Sequence, residues 1–314
     1  MSNIPSIFAS SLIIILTFLS CTGEYKLNED ERRLNLSQEF SDYWFQGRAE
    51  LTSYELSQAR YGELHKGHAV LIFVTEDFSF SNFVKLDRPD RNRQDALKVM
   101  KLNMTRKFKT GIYPYSIMQS VFTPLNSYSF PLSLKINASS QEWCGHTFSN
   151  MNLQWDGYVY EGFSYFEGEA FEQKKLDRIM SEDEIWNRIR LGPDRLPIGD
   201  CQVIPSMIFS RLKHEKLKVE EAIATLEDLG TDSTLQVNRY VLRYKNLPRT
   251  ISIDFDKAFP HQIIAWEEKQ LSGFGANAKE MVTSGKKMKS IMLDYWAKNN
   301  VADSIYRKKL DLPM

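Results

Sequence analysis

The segment with the sharpest chemistry in the chain is Glu142-Trp143-Cys144-Gly145-His146. A thiol two residues from an imidazole can act as an activated nucleophile, with Glu142 orienting the base. On a strand, residues two apart project from the same face, so the geometry is feasible. Against this, catalytic Cys and His usually lie far apart in sequence and meet only through the fold. A second use competes for the same cysteine. Past residue 21 the chain holds only Cys144 and Cys201, and in an oxidising compartment an isolated pair most often forms one disulfide. That loop would enclose more than fifty residues, where chain-entropy models give about 4 kcal/mol of stabilisation. The disulfide accounts for Cys144 more simply. No catalytic residue is therefore assigned, and an envelope hydrolase or thiol enzyme using Cys144 and His146 stands as the alternative.

Other reactive types are thinly spread. The five histidines are His65, His68, His146, His214 and His261. His65 and His68 flank a glycine and could pinch a metal, but no carboxylate stands beside them to complete a site. Asp254 and Asp256 suit the carboxylate pair of a glycosidase, yet such pairs are common at turns. The chain has no His-Glu-x-x-His, no Gly-x-Ser-x-Gly, no Gly-rich phosphate loop and no two-pair cysteine zinc pattern. No metal and no cofactor is expected.

Cys21 has a different meaning. The run Ile7 to Leu19 is apolar, too short to cross a bilayer, which needs about 20 helical residues. It has the length of a signal-peptide core. Ser20 precedes Cys21 directly, as the processing site of a bacterial lipoprotein requires, although residues 1–6 lack the usual Lys or Arg. Cys21 is thus expected to become the lipid-bearing first residue of the mature chain, anchoring it to the membrane of the cell envelope. The polar stretch Thr22 to Arg33 reads as a solvated tether.

Composition bounds the rest. Hydrophobic residues at 42% and charged residues at 25% are globular values. Aromatics at 12% favour β-structure. A formal charge of zero argues against a nucleic-acid partner, whose recognition needs a basic surface.

The elements that must hold these residues are mostly strands. Glu50 to Glu63 and Ala69 to Phe78 read as a hairpin turning at His65-Lys66-Gly67. Ala69 to Val74 is apolar on both faces, which suits a covered central strand. Val99 to Lys109 alternates, with a lysine row on its solvated face. Phe148 to Trp155 and Tyr158 to Phe166 flank Asp156-Gly157, a two-residue turn that would set Trp155 opposite Tyr158. In Tyr158 to Phe166 both faces carry aromatics, so one face is expected to line a groove or lie under another segment. Ser181-Glu182-Asp183-Glu184 is a capping box opening a helix through Ile185, Trp186 and Ile189, stopped at Gly192-Pro193. Val203 to Lys213 is helical from Pro205. Val219 to Leu229 fits either period and leans to strand. Arg239 to Tyr244, Thr250 to Phe255, His261 to Glu267 and Lys287 to Trp296 continue the meander, and a short helix capped by Asn299 or Asn300 closes the chain.

Asp42-Tyr43-Trp44, Ala59-Arg60-Tyr61-Gly62-Glu63, Val70 to Phe78, Asp294-Tyr295-Trp296 and Arg307 to Leu310 resemble a family of Bacteroidota lipoproteins of unknown function. Members are often labelled "septum formation inhibitor Maf". That label implies a cytoplasmic α/β nucleotide pyrophosphatase, but its Ser-x-Ser-Pro-Arg-Arg-like phosphate-binding start is absent here and a lipid anchor is the wrong compartment. The Tyr240 to Trp266 meander is also similar to the curved sheets of periplasmic lipoprotein carriers, which implies a concave apolar face able to hold a lipid.

The chain is therefore expected to divide into a signal peptide (1–20), a lipidated N-terminus and tether (21–36) and one domain (37–314). That domain is mainly β (α+β), a long antiparallel meander of eight to twelve strands with two or three short helices, forming a curved sheet or open barrel. The expected partners are the membrane, through Cys21, and a hydrophobic ligand or envelope protein on the sheet. A purely structural lipoprotein is the third reading.

Overall fold

The computed structural model of the chain describes residues 33–88, 94–230 and 236–313. The expected signal peptide, Cys21 and most of the expected tether lie outside the described residues. No described helix is long and apolar enough to cross a membrane.

Alternating apolar and polar residues build fifteen strands among the described residues. They are β1 (Ala49–Arg60), β2 (Glu63–Ser79), β3 (Val84–Lys85), β4 (Ala96–Thr110), β5 (Tyr113–Pro124), β6 (Lys135–Glu142), β7 (Gly145–Gln154), β8 (Gly157–Ser164), β9 (Phe171–Leu176), β10 (Gly199–Val203), β11 (Glu220–Asp228), β12 (Val237–Tyr244), β13 (Arg249–Asp256), β14 (Ile263–Ser272) and β15 (Lys279–Leu293). Four short α-helices accompany them among the described residues: α1 (Gln38–Trp44), α2 (Ile185–Leu191), α3 (Met207–Lys213) and α4 (Ile305–Lys309). The expected antiparallel meander is present, with more strands than expected.

One sheet holds every strand, in the order β10 to β15, then β1, β2, β4 and on to β9, with β3 beside β2. The first strand sits mid-sheet because β15 returns to pair with it, from Ala49 opposite Leu293 to Ser57 opposite Ser284. Alternation decides which side chains turn inward: β13 buries Arg249, Ile251, Ile253 and Phe255 and leaves the residues between half-exposed. The sheet curves but does not close. Its edges are β9 and β10, which are consecutive in the chain yet do not pair.

Two turns differ from expectation by small, consequential amounts. The β1–β2 turn is Tyr61-Gly62, not His65 to Gly67: Arg60 pairs with Glu63, and Tyr61 and Gly62 both take positive φ (54° and 79°), as a tight hairpin demands. In the β7–β8 hairpin Gln154 pairs with Gly157 and Leu153 with Tyr158. Trp155-Asp156 is therefore the turn, and Trp155 stands exposed rather than opposite Tyr158.

The segment between the two edge strands enters the concave side and fills it. Ser181 to Glu184 are all buried, so the expected capping box is only half made. The Asp183 amide donates to the Ser181 hydroxyl at 3.2 Å, while Glu184 accepts the Ser133 amide at 2.6 Å and pairs with Arg188 at 3.1 Å. Then α2 lies against the inner faces of the strands. Its Asn187 amide donates to the Met100 and Val121 carbonyls at 3.1 and 3.3 Å and to the Thr123 hydroxyl at 2.8 Å. Trp186 meets Trp266 edge-on, ring centres 5.5 Å apart.

Buried charges pin this plug. Arg190 grips Glu50 through two bonds of 2.6 Å, its guanidinium lying 4.7 Å from the Phe73 ring centre. Burial alone would raise the Glu50 carboxyl, but Arg190 outweighs it and holds the group at about 2. On the other side Arg249 binds Glu182 (Nε to Oε2 at 2.9 Å), which also accepts the Tyr244 hydroxyl at 2.7 Å. Arg106 donates to Glu268 at 2.5 Å. On the convex side, Leu310 of the C-terminal segment packs with Ala49, Leu51, Val74 and Leu293.

Candidate functional site

With the concave face so filled, the open apolar trough implied by the carrier-like resemblance is not present among the described residues. One gap remains. The inner faces of β7, β8 and β9 run past the reach of the plug, and α3 with the turn after it faces them across a cavity of about 350 Å³. Thr147, Ser149, Tyr160, Glu172, Arg211 and His214 are among its walls.

Local sequence explains the shape. On β8 Tyr158 and Tyr160 point inward and are buried, and Gly162 follows on the same face. A Cβ on Gly162 would fall 2.7 Å from the Tyr160 hydroxyl, so the bare glycine keeps that hydroxyl beside Ser149, 3.2 Å away. Opposite, α3 starts at the Ser206 hydroxyl, which accepts the Ile208 amide at 3.1 Å. It ends at His214, in the left-handed region (φ 56°). Met207, Ile208, Phe209 and Leu212 bury one side of α3, and Arg211 and His214 are left to line the gap.

The polar groups bridge the two walls. His214 Nδ1 lies 2.6 Å from a Glu169 oxygen, and its ring meets Phe166 edge-on at 5.6 Å. The Arg211 guanidinium lies 4.8 Å from the Phe166 ring centre, and burial lowers its pKa. Arg211 Nε is buried with no hydrogen-bond partner; Nη2 lies 3.8 Å from Glu142 and Nη1 lies 3.3 Å from the His214 ring, with Glu169 the other carboxylate acting on the guanidinium. Glu172 and Lys174 pair at 2.9 Å on the β9 side. Tyrosine, methionine and leucine surfaces for an apolar body, with a guanidinium and an imidazole for an acceptor head, suit binding of a small amphiphile. A larger depression of about 590 Å³ lies near Trp44, Glu76, Lys98 and Trp296. It is the weaker candidate, because most of its charges are already paired: Lys98 with Asp77 at 2.8 Å, and Glu76 with Lys101 at 3.3 Å and Lys85 at 3.7 Å, although Glu76 Oε2 is buried without a hydrogen-bond partner.

The sequence-derived candidates fall elsewhere. Cys144 and Cys201 are both free thiols, so the expected disulfide is not made here. Cys144 sits in the exposed turn between β6 and β7, whereas Cys201 is half-buried on the edge strand β10, paired with Ala222. The Cys144 thiol is pushed up by its hydrogen bond to Glu142, the reverse of what a nucleophile needs. Glu142 is spent on the turn, accepting the Cys144 amide at 2.6 Å. His146 is exposed on β7. Asp254 is held by Arg239 in two bonds of 2.7 and 2.8 Å, and His65 Nε2 lies 3.1 Å from the Arg60 carbonyl oxygen. Among the described residues no group of three or more His, Cys, Asp or Glu is placed to hold a metal ion.

Arg211, His214, Glu169 and Glu172 were not singled out by sequence. The one signal was the two-faced aromatic pattern of β8, which does line the cavity through Tyr160.

No protein-family model and no curated protein matches the chain. Among solved structures the chain is similar to a crystal structure described as a beta-barrel-like protein of domain of unknown function DUF1849 from Brucella abortus. That similarity has 9% identity and a TM-score of 0.45 over 78% of this chain and 98% of that one.

Proposed function

We propose that the protein is a lipid-anchored, non-catalytic component of the cell envelope that holds a small amphiphile in the cavity between β7–β9 and α3. The observation that carries this reading is the contrast inside the sheet. The concave face is packed solid with α2 and its ion pairs, yet beside β8 a volume of about 350 Å³ stays open next to a buried guanidinium nitrogen without a partner. A volume of that order takes a small ligand and not an extended lipid. The anchor at Cys21 is supported by the lipoprotein signal in the sequence. Residues 33–37 lead into α1 ahead of the start of β1, whereas the cavity lies where β8 turns into β9, towards the other end of the strands.

Native mass spectrometry of the full chain extracted from its own envelope tests the binding reading. A discrete adduct released on denaturation is expected, and Ser149→Trp, which fills the cavity, should abolish it. Protein that is uniformly free of adduct, or an adduct retained by Ser149→Trp, would contradict the proposal.

A further inference from the structure

The sheet ends at β9, and no described strand covers its outer edge. Two hydrogen bonds fix which groups that edge presents. The Ser164 amide donates to the Ala170 carbonyl at 3.2 Å, and the Tyr165 amide donates to the His146 carbonyl at 3.2 Å. In an antiparallel sheet alternate residues turn their main-chain groups to opposite neighbours. Even-numbered residues of β9 therefore bond to β8, while Phe171, Gln173 and Lys175 turn N–H and C=O outward. Their side chains are exposed on the convex face, and Glu172 and Lys174 lie half-buried on the cavity side.

We propose that this edge pairs with the same edge of a second copy of the chain, antiparallel, about a twofold axis at Gln173. The register follows from the residues. Centred on Gln173, the outward main-chain groups of one copy meet those of the other: Gln173 opposite Gln173, and Phe171 opposite Lys175. On the cavity side Glu172 of each copy then faces Lys174 of the other, an opposite-charge cross-strand pair at both ends of the contact. Shifting the centre by one residue sets Glu172 against Glu172, or Lys174 against Lys174, and like charges directly opposite destabilise a sheet. Inward-pointing charges usually guard an edge against pairing. Here the alternation of sign blocks the slipped registers and leaves the symmetric one open. Such a contact is isologous and closes at two copies. It is small against the roughly 1,000 Å² of a stable soluble interface, so it is a weak contact that gains when copies share one surface. It is independent of what the cavity holds.

Cysteine cross-linking of the full chain in intact producing cells tests the register. In the proposed pair the two Gln173 Cα atoms lie about 5.5 Å apart, within disulfide reach. The two Lys175 positions lie roughly 13 Å apart along the strands, beyond it. Under a mild oxidant, Gln173→Cys should give about tenfold more disulfide-linked dimer than Lys175→Cys or the parent chain with Cys144 and Cys201 alone. Adding Glu172→Lys should cut the yield about fivefold, and adding Lys174→Glu to that variant should restore it. Restoration separates a charge pair from a strand that has simply lost its fold. Equal yields at 173 and 175, no effect of Glu172→Lys, failure of the swap to restore, or a cross-link from the thiol introduced by Gln173→Cys to a different polypeptide would each overturn the proposal.

Discussion

Removing the arginine that pins the plug should cost more than any surface change and should invert the response to acid. Arg190 and Glu50 are each 1% exposed in their side chains and share two charge-assisted bonds of 2.6 Å. Glu50 is held down from 4.5 to about 2, a shift that corresponds to about 3 kcal/mol of linked stability. Deleting one partner of a buried pair leaves the other charge stranded, at a cost of about 3–5 kcal/mol. Arg190→Met should therefore lower the unfolding free energy by about that amount, read by urea titration at pH 7. The sign with pH follows. In the parent chain the depressed Glu50 contributes stability above its unfolded value of 4.5, and this is lost as pH falls towards 2. In Arg190→Met the unpaired carboxyl is raised by burial, so acidifying from pH 7 to 5 should recover stability. Adding Glu50→Gln should recover most of the loss at pH 7. A loss under about 1 kcal/mol, with no recovery on acidification, would refute a pinned plug.

Other variants probe the remaining physics. Burial and the neighbouring Glu182 raise Asp183 to about 6, while it accepts the Met207 amide at the start of α3 at 3.0 Å. Its contribution is present below 3.8 and lost as pH rises through about 6, so Asp183→Asn should flatten the stability profile between those values in pH-dependent thermal melts. Gly285→Ala places a Cβ 2.1 Å from the Trp266 indole, which is itself fully buried. It should destabilise by about 1–3 kcal/mol in urea titration, and a neutral result would mean the indole has room to move. With its thiol raised by Glu142, Cys144 should react slowly with an alkylator at pH 7 despite its exposure, and faster in Glu142→Gln; rapid labelling of the parent chain at neutral pH would revive the thiol-enzyme reading. Cys21→Ala should abolish incorporation of a fatty-acid probe in cells, and continued labelling would refute Cys21 as the attachment residue.

The β architecture was legible because its signal is local. Thr250 to Phe255 carries its burial pattern in its own alternation, and Ala69 to Val74 carries it in an unbroken apolar run that the sheet buries almost throughout. Turn positions were less so. A glycine at 157 is compatible with two turn placements one residue apart, and cross-strand packing of Leu153 on Tyr158 decides between them. Ser181 to Glu184 show a capping box in sequence but not their burial, because their partners are remote: Glu182 meets Arg249, Asp183 meets Met207, and Glu184 meets Ser133. The cavity escaped for the same reason. Glu169 and His214 touch across 45 positions, and neither has a neighbour in sequence that hints at the other.

The central claim is that ligand occupies the gap beside β8 while the rest of the concave face is filled by the chain itself. A crystal structure of the full chain purified from the cells that produce it measures this most directly. The account predicts density for a small amphiphile between Tyr160 and Arg211, with α2 still seated on Glu50 through Arg190. Bound lipid lying where α2 packs, with the helix displaced, would contradict it.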